Sequence, residues 1–158
     1  MRSALLFLTT VLLTGAESDA FDRMKSLVGE CETDFPGFGK MTDSIRLVSN
    51  GRAMEETTGS PADNEVSIYS RAGSGISLTH FCAMTPDGHV VRLETSALNG
   101  APNELTFAFR GATNLHTTTA PHMRLVVTTF LDHDHFSEKW TKTENGKDTV
   151  LELNWTRR

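Results

Sequence analysis

Residues 42–58, TDSIRLVSNGRAMEETT, set one alternating run, Thr42 to Ser49, and a second, Arg52 to Thr58, on either side of Asn50-Gly51. Asn-Gly between alternating runs is a strong hairpin signal, because a type I′ turn needs positive φ at both central residues. The same signal returns at Asp87-Gly88 and Asn145-Gly146. Outward from this hairpin, period-two alternation marks candidate strands at Val28 to Thr33, Glu65 to Arg71, Gly75 to Met84, His89 to Ser96, Glu104 to Arg110, His122 to Asp132, Phe136 to Glu144 and Thr149 to Thr156. Turn residues part them at Pro36-Gly37, Pro61 to Asn64, Gly73 to Gly75, Asn99 to Asn103, Thr117 to Pro121 and Asp132 to His135.

Helical spacing occurs at Phe21 to Leu27, where Phe21, Met24, Leu27 and Val28 share a face and Asp19 is placed to cap. No helical pattern is long enough for a parallel crossover, so the strands should run as an antiparallel meander. Closing such a sheet removes its edges. The expected fold is therefore all-β, an antiparallel up-and-down barrel of about eight to ten strands with a short N-terminal helix. The long connection from Gly111 to Pro121 is the expected mobile loop or lid.

Met1 to Ala16 carries Arg2, an apolar run from Ala4 to Leu13, and then the small residues Thr14, Gly15 and Ala16. It reads as a secretory signal peptide, too short to span a bilayer, with cleavage after Ala16 or, as the alternative, after Ala20. Cys31 lies too far downstream for lipidation at a mature N-terminus, and no later run approaches the roughly 20 apolar residues of a spanning helix. The expectation is a signal peptide at 1–16 and a single barrel domain at 17–158, periplasmic or secreted, with no membrane insertion. A domain of that length buries most of its apolar surface without staples. The formal net charge of −5 argues against nucleic acid as a partner, because such binding neutralises phosphates with Lys and Arg. Here Arg46, Arg52, Arg71, Arg92, Arg110 and Arg124 are scattered rather than striped.

Alternation also assigns the interior, since successive side chains on a strand point to opposite faces. Ile76, Leu78, His80 and Cys82 share one face, Val91, Leu93 and Thr95 another, and Leu105, Phe107 and Phe109 form an apolar row. Phe136, Glu138, Trp140 and Lys142 also share a face, which sets Glu138 between two aromatics. An inward Glu138 needs a partner or a raised pKa, and His80, Arg124 and Arg46 are the partners to look for. An apolar cup with convergent polar groups, His80, Glu138, His122 and Arg124, has the composition of a small-molecule pocket. The alternative is a filled core in which one polar network fixes strand register.

Three segments carry a resemblance: Phe21 to Glu30 (FDRMKSLVGE), Leu78 to Cys82 (LTHFC) and Phe136 to Trp140 (FSEKW). Together they resemble a family of exported bacterial proteins of unknown function that is similar to the calycins, the lipocalin-like barrels. The resemblance covers almost the whole chain after the leader. It implies a Trp two residues beyond the strand-opening Gly as a plug at the closed end, where this chain has Cys31. Relatives with that Trp leave the second cysteine unpaired. Although two cysteines in an exported chain suggest a disulfide, Cys31 and Cys82 are therefore expected as buried thiols, on strands that are not neighbours.

His80 and Cys82 project to one side of a strand and could both ligate a soft or borderline ion. Two ligands do not make a site, the others would have to come from His116, His122, His133 or His135, and no metal is assigned. Some calycin-like barrels hold haem through a strand histidine. The glycine-rich opening strand of those barrels is missing, so no cofactor is assigned. Gly73-Ser74-Gly75 lacks the first Gly of a nucleophile elbow, and Gly37-Phe38-Gly39 is followed by Thr42 where a dinucleotide fingerprint wants Gly. Asp132-His133-Asp134-His135 reads as a solvated turn, and the Asn154-Trp155-Thr156 sequon as incidental. The expected function is binding of a small, partly apolar ligand by His80, Glu138 and Arg124, with Phe107, Phe109, Phe136 and Trp140 as walls. The alternatives are an enzyme using a His80/Glu138 acid–base pair inside the barrel, and a structural domain with a filled core.

Overall fold

A computed structural model describes residues 20–35, 37, 39–60, 63–82, 90–95, 103–117 and 119–158. Among them a helix, α1 (Ala20–Met24), runs through a 3-10 turn (Lys25–Leu27) into β1 (Gly29–Phe35). There follow β2 (Gly39–Val48), β3 (Ala53–Ser60), β4 (Asp63–Ala72), β5 (Gly75–Phe81), β6 (Val90–Thr95), β7 (Glu104–Ala112), β8 (His122–Phe130), β9 (His135–Glu144) and β10 (Lys147–Arg157). Each strand pairs antiparallel with the next and β10 returns to β1, so the ten strands form a closed barrel. This is the expected architecture. Several strands run further at the rims than their alternation does, because ladder hydrogen bonds continue through glycine and polar residues that carry no pattern.

Asn145 and Gly146 adopt φ 51° and 73° in the two-residue turn between β9 and β10, as a type I′ turn requires. The β2–β3 connection departs from the expectation. Val48 pairs with Ala53, so the loop holds Ser49, Asn50, Gly51 and Arg52, the first three with φ 52°, 55° and 77°. The connection expected as a lid is anchored at both ends: Thr113 donates its N–H to the Val90 carbonyl (3.0 Å), and Asn145 donates to the Thr119 carbonyl (2.9 Å). The leader, Asp19 and Asp87-Gly88 lie outside the described residues.

The helix closes one end of the barrel. Phe21, Met24 and Leu27 are buried in the same core as Met54, Ile76, Leu105, Phe136 and Trp155, all near the strand termini at that end. The helix is fastened there by Arg71, which pairs with Asp22 at 3.0 Å and lies over the Phe21 ring. Arg157 adds a second fastening, donating to the carbonyls of Val28 and Ser26 at 2.7 Å each. Its fork fills the space beside Gly29, where φ is 148° and an added Cβ would lie 2.5 Å from the guanidinium. The plug thus comes from Phe21 and Met24, beside a buried Cys31. Both cysteines are unbridged, buried thiols, and desolvation pushes Cys31 up to about 11.

Candidate functional site

Register aligns a belt of polar residues along the inner wall. Ile45 pairs with Glu56, Glu56 with Ser67, and Ser67 with His80. In the adjacent row Asp43 pairs with Thr58 and Thr58 with Glu65. Inward neighbours on successive strands lie close enough for their side chains to interact. From the opposite wall, Glu138 on β9 pairs with Thr128 and Leu153.

Three carboxyl groups are therefore buried together: Asp43 (0% exposed), Glu56 (2%) and Glu138 (2%). Lys and Arg are absent from the buried polar side chains among the described residues. Tyr69 donates its hydroxyl to Glu56 (2.7 Å), Thr58 donates to Asp43 (2.9 Å), and the indoles of Trp140 and Trp155 donate to one oxygen of Glu138 (3.2 and 3.3 Å). Asp43 Oδ2, Glu138 Oε1 and the Thr128 hydroxyl that pairs across from Glu138 are buried without a well-formed hydrogen bond. Burial dominates the electrostatics and each carboxyl adds to the next: Asp43 is pushed up to about 8 by desolvation and then Glu138, Glu56 to about 8 by desolvation and then Asp43, and Glu138 to about 8 by desolvation and then Glu56. At neutral pH the belt is held largely protonated, because like charges in a dry interior cannot all ionise. Tyr69 is pushed up for the same reason, desolvation first and the Glu56 charge second.

His80 stands at one edge of the belt. Its Nδ1 lies 3.1 Å from the Ser67 hydroxyl, and its ring centre is 4.7 Å from that of Trp140. Desolvation lowers its pKa more than the nearby Glu65 raises it, so the imidazole is neutral at physiological pH. Glu65 Oε2 lies 3.6 Å from His80 Nε2, and Cys82 donates its S–H to Glu65 Oε1 at 3.4 Å.

The residues singled out in the sequence divide by face. Phe107, Phe136, Trp140, Glu138 and His80 are buried in the interior, with Phe107 edge-on to Tyr69 at 5.7 Å and Phe136 stacked on Trp155 at 6.2 Å. Phe109 is half-buried against His122, whose Nδ1 lies 2.8 Å from the Ala120 carbonyl. Trp140 stands between His80 and Glu138, its ring against one and its N–H on the other.

Arg124 is a correction: it lies outside the barrel, half-exposed and paired with Asp148. The β8–β9 register shifts between Met123 and Leu125, so Arg124 is the extra residue of a bulge, which displaces it from the inward parity that it would share with Val126. Arg46 likewise faces out and pairs with Glu55. Glu138 is met by indole donors instead. At the Asp132 to His135 tip, His135 pairs with Asp132 (2.8 Å) and His133 with Asp134 (2.7 Å), all exposed.

Asp43, Glu56, Glu65, Ser67 and Tyr69 complete the site and were not singled out in the sequence. A signal for two of them was present: Asp43 shares parity with Ile45, and Glu56 with Met54, while the opposite parity there is Ser44, Arg46, Glu55 and Thr57. No family model matches this chain, and no curated protein matches it.

Proposed function

We propose that this chain is an exported, calycin-like barrel that binds a small, partly apolar molecule through a hydrogen-bond-donating head, an amine being the best chemical match. The observation that carries this reading is the buried belt itself. Asp43 Oδ2 and Glu138 Oε1 are buried without a well-formed hydrogen bond, with Glu56 and the Thr128 hydroxyl as their polar neighbours, and the buried polar side chains include no Lys or Arg among the described residues. Buried polar atoms are ordinarily partnered, and exceptions call for an explanation such as a functional role. A ligand ammonium or hydroxyl would supply the missing donors. An ammonium would also favour ionisation of the carboxyls and so release protons on binding. Phe107, Phe136 and Trp140 offer apolar contact for the rest of the molecule, and His80 adds a neutral acceptor.

A filled core is the second reading, supported by the indole N–H groups of Trp140 and Trp155, which already satisfy one oxygen of Glu138. Titration with a matched series of small alkylamines, alcohols and carboxylates, read by the fluorescence of Trp140 and Trp155 and by calorimetry in two buffers, separates the readings. Saturable binding of amines with proton release, lost in Glu138→Gln while the fold persists, is the expected result. Binding of none of the series, with Glu138→Gln losing only stability, would leave the filled core standing.

A further inference from the structure

Outside the carboxyl belt, the donor atoms of Glu65, His80 and Cys82 all lie within 4.8 Å of one another. They come from adjacent strands, Glu65 from β4 and His80 from β5, with Cys82 directly after β5. From the sequence, His80 and Cys82 lacked further ligands, and histidines were the candidates to supply them. The fold brings a carboxylate instead.

We propose that Glu65, His80 and Cys82 form a site for a borderline-soft divalent cation, zinc first, bound through one carboxylate oxygen, the imidazole Nε2 and the thiolate sulfur. Zinc accepts this mixture of oxygen, nitrogen and sulfur in tetrahedral geometry, and three protein ligands leave its fourth position open. Bond lengths near 2.0–2.3 Å in that geometry set neighbouring donors roughly 3.3–3.6 Å apart. The three donor atoms, one from each residue, lie within 4.8 Å of one another. His80 Nε2 meets Glu65 Oε2 at 3.6 Å and Cys82 Sγ meets the other oxygen, Oε1, at 3.4 Å, so a turn of the carboxylate and a contraction of up to about 1 Å would close the set around one ion.

An independent observation points the same way. His80 is 3% exposed, and its Nε2 is buried without a hydrogen-bond partner. The other ring nitrogen is held by Ser67 at 3.1 Å. If Nδ1 carries the proton and donates it to Ser67, the Nε2 lone pair is left to face the carboxylate and thiol. This is the outer-partner arrangement that orients metal-bound histidines, and the Trp140 ring packed on the imidazole restrains it further. Glu65 retains 24% side-chain exposure, which gives a cation a route from solvent. Binding replaces the S–H contact to Glu65, and the thiol proton leaves to solvent.

The test adds Zn²⁺ or Co²⁺ to the metal-free full chain. One equivalent of Zn²⁺ should bind, and the Co²⁺ form should show a thiolate charge-transfer band in the near ultraviolet that disappears in Cys82→Ser. Glu65→Gln should weaken Zn²⁺ at least tenfold and Ser67→Ala roughly tenfold, the latter through loss of ring orientation. Circular dichroism checks the fold of each variant. Should Cys82→Ser fail to fold, Glu65→Gln, at a partly exposed position, carries the same test. A double His133→Ala, His135→Ala variant should bind unchanged. No binding, binding without the thiolate band, or binding lost with His133 and His135 would each overturn the assignment. The metal site shares His80 with the amine reading but not Glu138: Glu138→Gln removes that ligand's carboxyl acceptor and should leave Zn²⁺ affinity unaltered.

Discussion

At the α1 end of the barrel, Phe21, Met24, Ile76, Leu105, Phe136 and Trp155 pack together as a wholly apolar layer, all but 2% or less buried. Further from that end, inward positions hold His80 and Glu138, on the strands of Ile76 and Phe136, and Asp43 and Glu56 on β2 and β3, all 3% exposed or less. Burial alone therefore does not separate the two regions. The apolar layer gains by leaving water, whereas each group of the belt loses hydration and recovers only what its partners return. One region stabilises the fold and the other costs stability. Side chains that cost stability and still converge mark where function is to be sought.

The largest effect of a substitution is expected at the plug. Phe21→Ala removes a fully buried ring and should cost about 3–5 kcal/mol, measured as a loss in urea unfolding free energy. Loss on the scale of a surface substitution would mean that α1 is not part of the core.

The belt should respond to pH instead. In the unfolded chain its carboxyls ionise near their ordinary 3.8 and 4.5, and in the fold near 8. A raised pKa contributes stability that is whole below the unfolded value and is lost as pH rises through the folded one. Stability should therefore fall from pH 5 to pH 9, by about 4 kcal/mol for a single carboxyl with these two values and by more for the coupled cluster. His80 works in the opposite sense: its lowered pKa contributes stability that is lost as pH falls below its ordinary 6.5. Urea midpoints across this range should reveal the alkaline loss, and Glu138→Gln should reduce its slope. A wild-type profile that stays flat up to pH 9 would show the carboxyls to be solvated.

The smallest effect sharpens the boundary between inside and outside. Arg124→Ala removes an exposed ion pair with Asp148 and should change stability by less than about 0.5 kcal/mol. Binding of the amine series should be unchanged. Weakened binding would return Arg124 to the interior face.

Alternation and turn chemistry made the barrel legible. His80, Glu138, Phe107 and Trp140 could be assigned inward from one strand at a time, because a side chain's face depends only on its parity. Parity failed at Arg124, where a bulge inserts a residue, and bulges leave no local trace in alternation. It also did not single out Asp43 and Glu56. Asp43 shares its parity with Met41, Ile45 and Leu47, and Glu56 with Met54, but a carboxylate is costly to bury, so on one strand alone it reads as surface until the neighbouring strands enclose it.

What the sequence determined by itself was an all-β meander with a helical turn ahead of it, since hairpin turns and period-two runs are properties of neighbouring residues. Only the tertiary structure decided that three carboxyls share one dry interior, that Glu65 joins His80 and Cys82, and that indoles meet Glu138. Those relations depend on register between strands and on closure of the sheet, which bring together residues that no local pattern in the chain connects.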